Sequence, residues 1–222
     1  SLSHLFHSLE IQDCTLTAEL LARSGISHDY NWYRVVFTSF VDSESGRLQA
    51  IGFFQDIDYE VQQRLKLQHL ANMDCHTGIY NAAAGRQLIQ NKLMQQSPST
   101  HNAMFVFDID NFKLINDTYG HYRGDEILHH FADILRCVCR KTDTVFRIGG
   151  DEFGLFAYNT DDEKLVRRIC TEILCRTNEL SEDCIPVSVS IGVAVNKEYA
   201  PSYFDYYRAA DKAMYQAKEN GK

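Results

Sequence analysis

Arg147-Ile148-Gly149-Gly150-Asp151-Glu152-Phe153 is the stretch on which the reading of the fold turns. Thr144-Val145-Phe146 precedes it and Phe153-Gly154-Leu155-Phe156-Ala157 closes it. Two short apolar runs around a Gly-Gly pair predict a β-hairpin, because glycine tolerates the positive φ of a tight turn. A hairpin with a merely polar tip would account for the pattern. Asp151 and Glu152 support a second reading, since two carboxylates on a tight backbone with little side-chain bulk suit a place where phosphate and metal approach the chain.

The remainder of the composition narrows the classes of function. The chain has 222 residues, 45% hydrophobic and 23% charged, which allows one large or two smaller domains with real cores. A formal net charge of −8 argues against a surface that coats nucleic acid or binds an anionic membrane. It leaves room for a nucleotide held through Mg²⁺. Seven cysteines, an odd number, with several at apolar helix positions, predict reduced thiols and a cytoplasmic location. Cys137 and Cys139 have no second pair at zinc-site spacing. No apolar run reaches the roughly 18 residues of a membrane span, so no membrane contact is expected from this stretch, although a parent protein anchored upstream fits equally well.

Residues 1–58 read as part of a domain. His4 to Glu10 suggests a short helix, and the runs Trp32–Val41 and Leu48–Phe54 join through the turn-rich Asp42–Arg47 as an antiparallel hairpin. This order resembles the C-terminal half of a PAS sensor domain; an unrelated small β-unit is the other reading. Residues 59–73 carry Val61, Leu65, Leu67 and Leu70 among polar residues with no Gly or Pro, which predicts a linker helix. Its apolar stripe pairs with a second copy or packs on its own domain.

From residue 74 to 222 helices and strands alternate. Asn81–Gln96 reads as a helix, and Ala103–Phe107 as a central strand covered on both faces. A helix is expected from about Asp125, then the hairpin, then a helix carrying Leu165, Ile169 and Ile173. Val187 to Val195 alternates as a strand, and a last helix spans about Ser202 to Glu219. The order β-α-β-β-α-β predicts an α+β, ferredoxin-like palm with a central, mostly antiparallel sheet flanked by helices. In that topology the first strand lies beside the third, so its end faces the hairpin tip.

That strand ends in Asp108-Ile109-Asp110, with the Ile109 carbonyl expected at the strand end. Asp108, Asp151 and Glu152 would then converge without a nearby lysine or arginine, and such a cluster repels itself unless a divalent cation sits within it. Mg²⁺ accepts a few carboxylates plus phosphate oxygens, and two such ions suit in-line attack on a phosphoryl group. Lys113 follows, either a phosphate ligand or a solvated lysine. Asn116 and Asp125 offer an amide and a carboxylate; the carboxylate matches the N1–H and exocyclic amine of guanine.

Four blocks together carry a family resemblance: Asp74-Cys75-His76-Thr77-Gly78-Ile79-Tyr80-Asn81, the run Asp108 to Asp125, Arg147 to Phe153, and Asp211-Lys212-Ala213-Met214-Tyr215-Gln216-Ala217-Lys218. Residues 74–222 thereby resemble the GGDEF family of diguanylate cyclases. The resemblance implies a homodimer in which each domain binds one GTP and each 3′-hydroxyl attacks the other's α-phosphate, giving cyclic di-GMP and pyrophosphate. It implies two Mg²⁺ or Mn²⁺ per site held by Asp108, the Ile109 carbonyl, Asp151 and Glu152, with Asp151 or Glu152 helping to deprotonate the 3′-hydroxyl. Lys113 and Lys218 would hold phosphates, Asn116 and Asp125 would read guanine with His121 near the substrate, and Gly149 and Gly150 would leave room for the phosphates. Arg140-Lys141-Thr142-Asp143 matches the Arg-x-x-Asp pattern of the family's inhibitory product site, although a helix-end salt bridge gives the same pattern.

The chain also departs from the family. His76 stands where leucine is usual, Ala82-Ala83 where two arginines are common, and the last block ends at Gly221-Lys222 with lysine in place of arginine. The competing class is a non-catalytic GGDEF module that binds GTP or cyclic di-GMP as a sensor or recruits a partner. Such modules usually lose the hairpin acids or the first-strand aspartate, and this chain keeps them.

Overall fold

The computed structural model describes residues 15–23, 29–97, 100–160, 163–180, 185–196 and 202–219. The expected helix at His4–Glu10, Cys14, Cys184 and the Gly221-Lys222 end lie outside them. The chain divides into two compact units, Ser1–Ala71 and Asn72–Lys222.

The first unit is a three-stranded antiparallel sheet, β1 (Thr15–Arg23), β2 (Tyr30–Val41) and β3 (Leu48–Asp56), in the order β1-β2-β3. The expected Trp32–Phe54 hairpin is β2 and β3. Helix α1 (Asp58–Asn72) follows, and its Val61 is buried together with Val35 and Ile57. Glu19 accepts from both Arg34 and Arg64 at 3.0 Å, and Arg34 also reaches Glu60 at 3.3 Å. Leu65, Leu67 and Leu70, three of the four stripe residues, are exposed.

The second unit is built on a five-stranded sheet. Its elements are β4 (Tyr80–Asn81), α2 (Ala82–Gln95), β5 (Asn102–Ile109), α3 (Phe112–Tyr119), α4 (His121–Val138), β6 (Thr144–Gly149), β7 (Glu152–Ala157), α5 (Glu163–Glu179), β8 (Val189–Asn196) and α6 (Tyr203–Glu219). The strand order is β4-β6-β7-β5-β8, antiparallel except for the short β4–β6 pairing. This is the expected palm: β5, the first strand of the β-α-β-β-α-β core, lies beside β7, the third.

The physical reason is visible in β5, all eight of whose residues are buried. Successive side chains of a strand point to opposite faces. Ala103, Phe105, Phe107 and Ile109 therefore enter one core with Phe131, Leu135, Phe153 and Ile173, while Met104 and Val106 enter the other with Phe146, Phe156, Tyr206 and Met214. On the first face the Phe131 ring meets Phe107 and Phe153 edge-on at 5.9 and 5.0 Å. Each fully buried phenylalanine stabilises the fold by about 2–3 kcal/mol. Strand β5 is thus clamped between two helical layers, and its C-terminal end is fixed against the hairpin.

Two starts differ from expectation, and one of them is the strand expected from Val187, which begins at Val189. The helix expected near Asp125 begins at His121, and the preceding run forms a helix of its own, α3. Gly120, at φ 87°, separates the two; its amide closes α3 by donating to the Asn116 carbonyl at 2.9 Å. Asn81 caps α2 by accepting from the Ala84 amide at 3.0 Å. The described cysteines, Cys75, Cys137, Cys139, Cys170 and Cys175, are free thiols. Among the described residues no helix is long and apolar enough to cross a membrane.

Candidate active site

The hairpin of β6 and β7 has a two-residue tip, Gly150-Asp151, with Gly149 opposite Glu152 and a register shift between Arg147 and Gly149. Only Gly150 of the glycine pair adopts positive φ, 54°, as the first tip residue of a primed hairpin turn must. The space beside both glycines is open, with nothing within 4 Å of where a Cβ would stand. Arg147 braces the tip from behind. Its Nε and Nη2 donate to the Gly150 carbonyl at 3.0 and 2.7 Å, and its Nη1 donates to Asp74 at 3.0 Å. Asp74 also accepts from the Thr77 amide and hydroxyl at 2.9 and 2.7 Å. Burial pushes the Asp74 carboxyl up, but the bonds from Thr77 and Arg147 outweigh it and hold the group below its ordinary value. This brace escaped sequence reasoning, which treated Arg147 only as part of a motif.

The end of β5 meets the tip directly. Asp108 is the cross-strand partner of Glu152, and the Ile109 amide donates to the Asp151 carbonyl at 3.3 Å. Amide and carbonyl of one strand residue point the same way, so the Ile109 carbonyl also faces the hairpin. The expected approach of Asp108 to Asp151 and Glu152 is therefore present, but the premise that no cation stands near is wrong. Lys218 Nζ lies 2.6 Å from Asp108 Oδ1. The long α6 carries that lysine back to the strand end, a juxtaposition that no local pattern reveals. Among the described residues, no three or more His, Cys, Asp or Glu side chains are gathered at ligand spacing around one point.

The remaining acids are not neutralised. Burial pushes Asp151 up, proximity to Asp108 adds to this, and Lys218 and Arg147 pull the other way. Burial likewise raises Glu152, followed by repulsion from Asp108, Asp151 and Asp211. A carboxyl whose folded value is raised binds more protons folded than unfolded. Its penalty therefore appears as pH rises from the ordinary carboxylate range through the raised value. Glu152→Gln removes one such group. In the presence of a chelator, the variant should melt higher than the parent near neutrality, and the difference should vanish on acidification to about pH 4. Melting curves at the two pH values check this, and a difference independent of pH would sink it. The donor set suits a divalent cation on chemical grounds, because two half-buried carboxyls raised by burial and then by neighbouring negative charge are relieved by one.

The α3–α4 corner carries Asn116 and Asp125, the two residues expected to read a base. Asn116, half-buried on α3, packs so closely on Gly124 that a Cβ there would collide with its Oδ1, and Asp125 follows on the exposed face of α4. Gly124 is thus what leaves room for the Asn116 amide against the first turn of α4. Lys113 is exposed in the first turn of α3, and His121 is exposed at the start of α4. His76, Ala82 and Ala83, the departures noted above, are also exposed.

Arg140 and Asp143 form a tight turn, not a side-chain salt bridge. Asp143 accepts from the Arg140 and Tyr158 amides at 2.8 and 3.3 Å, and its own amide donates to the Arg140 carbonyl at 3.0 Å. Both residues line a cavity of about 260 Å³ with Arg168 and Arg176. Sequence reasoning missed those two arginines, because they stand on α5, remote in the chain.

Residues 71–222 match the family described as diguanylate cyclase, GGDEF domain. The chain is 36% identical over 163 residues to the probable diguanylate cyclase DgcT of Escherichia coli, covering 70% of this chain and 35% of the relative. It is 37% identical over 162 residues to the diguanylate cyclase DgcS of Shewanella oneidensis, covering 72% and 53%. It thus spans between a third and about half of these curated relatives. The crystal structure of the coiled coil and GGDEF domain of Caulobacter crescentus DgcB, in complex with c-di-GMP, superposes with a TM-score of 0.68 at 24% identity, covering 74% of this chain and 90% of that one. With the palm, the hairpin and the match over residues 71–222 in agreement, this chain belongs to the GGDEF family.

Proposed function

We propose that the second unit is a diguanylate cyclase domain that condenses two GTP into cyclic di-GMP and two pyrophosphates across the interface of a homodimer. The observation that carries this reading is the seating of Asp108 and Ile109 against Asp151 and Glu152. The activity named for the two curated relatives supports it.

Asn116 and Asp125 hold the guanine edge, the carboxylate accepting from N1–H and the exocyclic amine. His121 flanks the substrate. The open space beside Gly149 and Gly150 takes the phosphates, and Lys113 and Lys218 hold their oxygens and the charge that develops at the α-phosphate. Lys218 exchanges Asp108 for phosphate when nucleotide enters. Asp108, the Ile109 carbonyl, Asp151 and Glu152 would hold two Mg²⁺ or Mn²⁺ ions, which supply charge neutralisation and a more acidic 3′-hydroxyl. Asp151 or Glu152, with a raised affinity for protons, accepts the 3′-hydroxyl proton as the new O–P bond forms and pyrophosphate leaves. Each domain presents one GTP, so chemistry needs a second copy facing the first.

Arg140 and Asp143, with Arg168 and Arg176 around the same cavity, serve as an inhibitory site for the product, the guanidinium groups pairing with its phosphates. The first unit is a sensory region acting through α1, and the protein works in the cytoplasm. Purified protein given GTP and Mg²⁺ should release cyclic di-GMP with a specific rate that rises with protein concentration. Arg140→Ala should lift the decline in rate as product accumulates. Absence of product at every concentration, with cyclic di-GMP still bound, would favour the sensor module instead.

A further inference from the structure

We infer that Asp110 is a positioning residue: clamped by Ser188 and Ser190, it sets the Ile109 carbonyl and the start of α3 for the metal-binding step proposed above, on which reading this inference rests. Asp110 is 4% exposed and stands between Ile109 and Asn111. Its two carboxylate oxygens accept from the hydroxyls of Ser188 and Ser190, each at 2.7 Å, and its amide donates to the Ser188 carbonyl at 2.9 Å. Ser190 is the cross-strand partner of Asp108, so the clamp ties strand β8 to the very end of β5.

The place where the clamp acts is the least self-supporting part of the site. Strand β5 stops at Ile109, and Asn111 adopts the left-handed conformation, φ 56°, that non-glycine residues rarely take. Asn111 makes no side-chain capping bond to α3. The turn that aims the Ile109 carbonyl at the hairpin and starts the helix bearing Lys113 and Asn116 therefore draws on its neighbours. A buried carboxylate is a costly way to fill space and holds its place only where hydrogen bonds fix it, which makes it a stiff anchor. Loss of a group that orients a metal ligand typically weakens metal binding by about tenfold to a hundredfold.

The test uses Mn²⁺ bound in the presence of 3′-deoxy-GTP, which lacks the attacking hydroxyl, followed by electron paramagnetic resonance. Asp110→Asn and Ser188→Ala should each weaken Mn²⁺ binding by about tenfold or more. Ser188→Thr, which keeps the hydroxyl at an exposed position, should bind as the parent does. With GTP at saturating Mn²⁺, KM should move less than about threefold, because Asn116 is held by its own packing on Gly124 further along α3. Circular dichroism establishes that each variant is folded, and Ser188→Ala, the mildest change, serves if Asp110→Asn is not. Mn²⁺ affinity within about threefold of the parent in both folded variants overturns the clamp. A parent protein that binds no Mn²⁺ with nucleotide overturns the two-metal reading and the clamp with it.

Discussion

Asp151→Asn is expected to lower cyclic di-GMP formation by about a thousandfold or more, roughly 4 kcal/mol of transition-state stabilisation, while the domain stays folded. The change is nearly isosteric, so the two-residue tip keeps its geometry and Arg147 keeps its bonds to the Gly150 carbonyl. What disappears is a charged oxygen donor beside Asp108 and a proton acceptor held in its raised state by burial and by that neighbour. Because the lost charge was unfavourable in the metal-free protein, the melting temperature should stay level or rise. Coupled measurements of product and melting temperature check both halves. Product formation within tenfold of the parent would remove Asp151 from the machinery.

Gly192→Ala is expected to be among the most damaging single changes to the fold. Gly192 lies in β8 directly beneath α6, and a Cβ there would collide with the Ala210 carbonyl oxygen and the Met214 amide nitrogen. Backbone atoms of a packed helix cannot step aside as a side-chain tip can. Overpacking of this kind costs about 2–4 kcal/mol, or about 5–15 °C in melting temperature for a domain of this size. The same displacement carries Lys218 away from Asp108, so residual activity should fall further than the loss of folded protein explains. A melting temperature within about 2 °C of the parent would refute the close packing.

The fold was legible where one short run settled its own environment. The continuous apolar run Ala103–Phe107 could only be a strand covered on both faces, and that is how β5 sits. The Gly-Gly pair between two apolar runs announced its hairpin by the turn it needs. The β-α-β-β-α-β order then placed the end of β5 at the tip, because the topology leaves few alternatives. The border between α3 and α4 was less legible, since the glycine at φ 87° that divides them carries no signal of where the second helix begins. The site was legible in its residue types and illegible in its pairings. Lys218 on Asp108, Arg147 on Asp74 and the serines on Asp110 all join distant parts of the chain, and no periodicity encodes them. The assumption of an acid cluster free of cations failed for that reason.

The Asp74–Arg147 bond also decides where this domain can be cut from a longer chain. Every strand of the five-stranded sheet lies at or after Tyr80, so strand boundaries alone would permit a fragment starting just before β4. Such a fragment would lose Asp74, and with it the partner that holds Arg147 behind the hairpin. The working boundary is therefore electrostatic, set a few residues upstream of the first strand. Expression fragments and domain grafts should begin ahead of Asp74, and a fusion junction placed within residues 74–79 would loosen the hairpin while leaving the sheet whole.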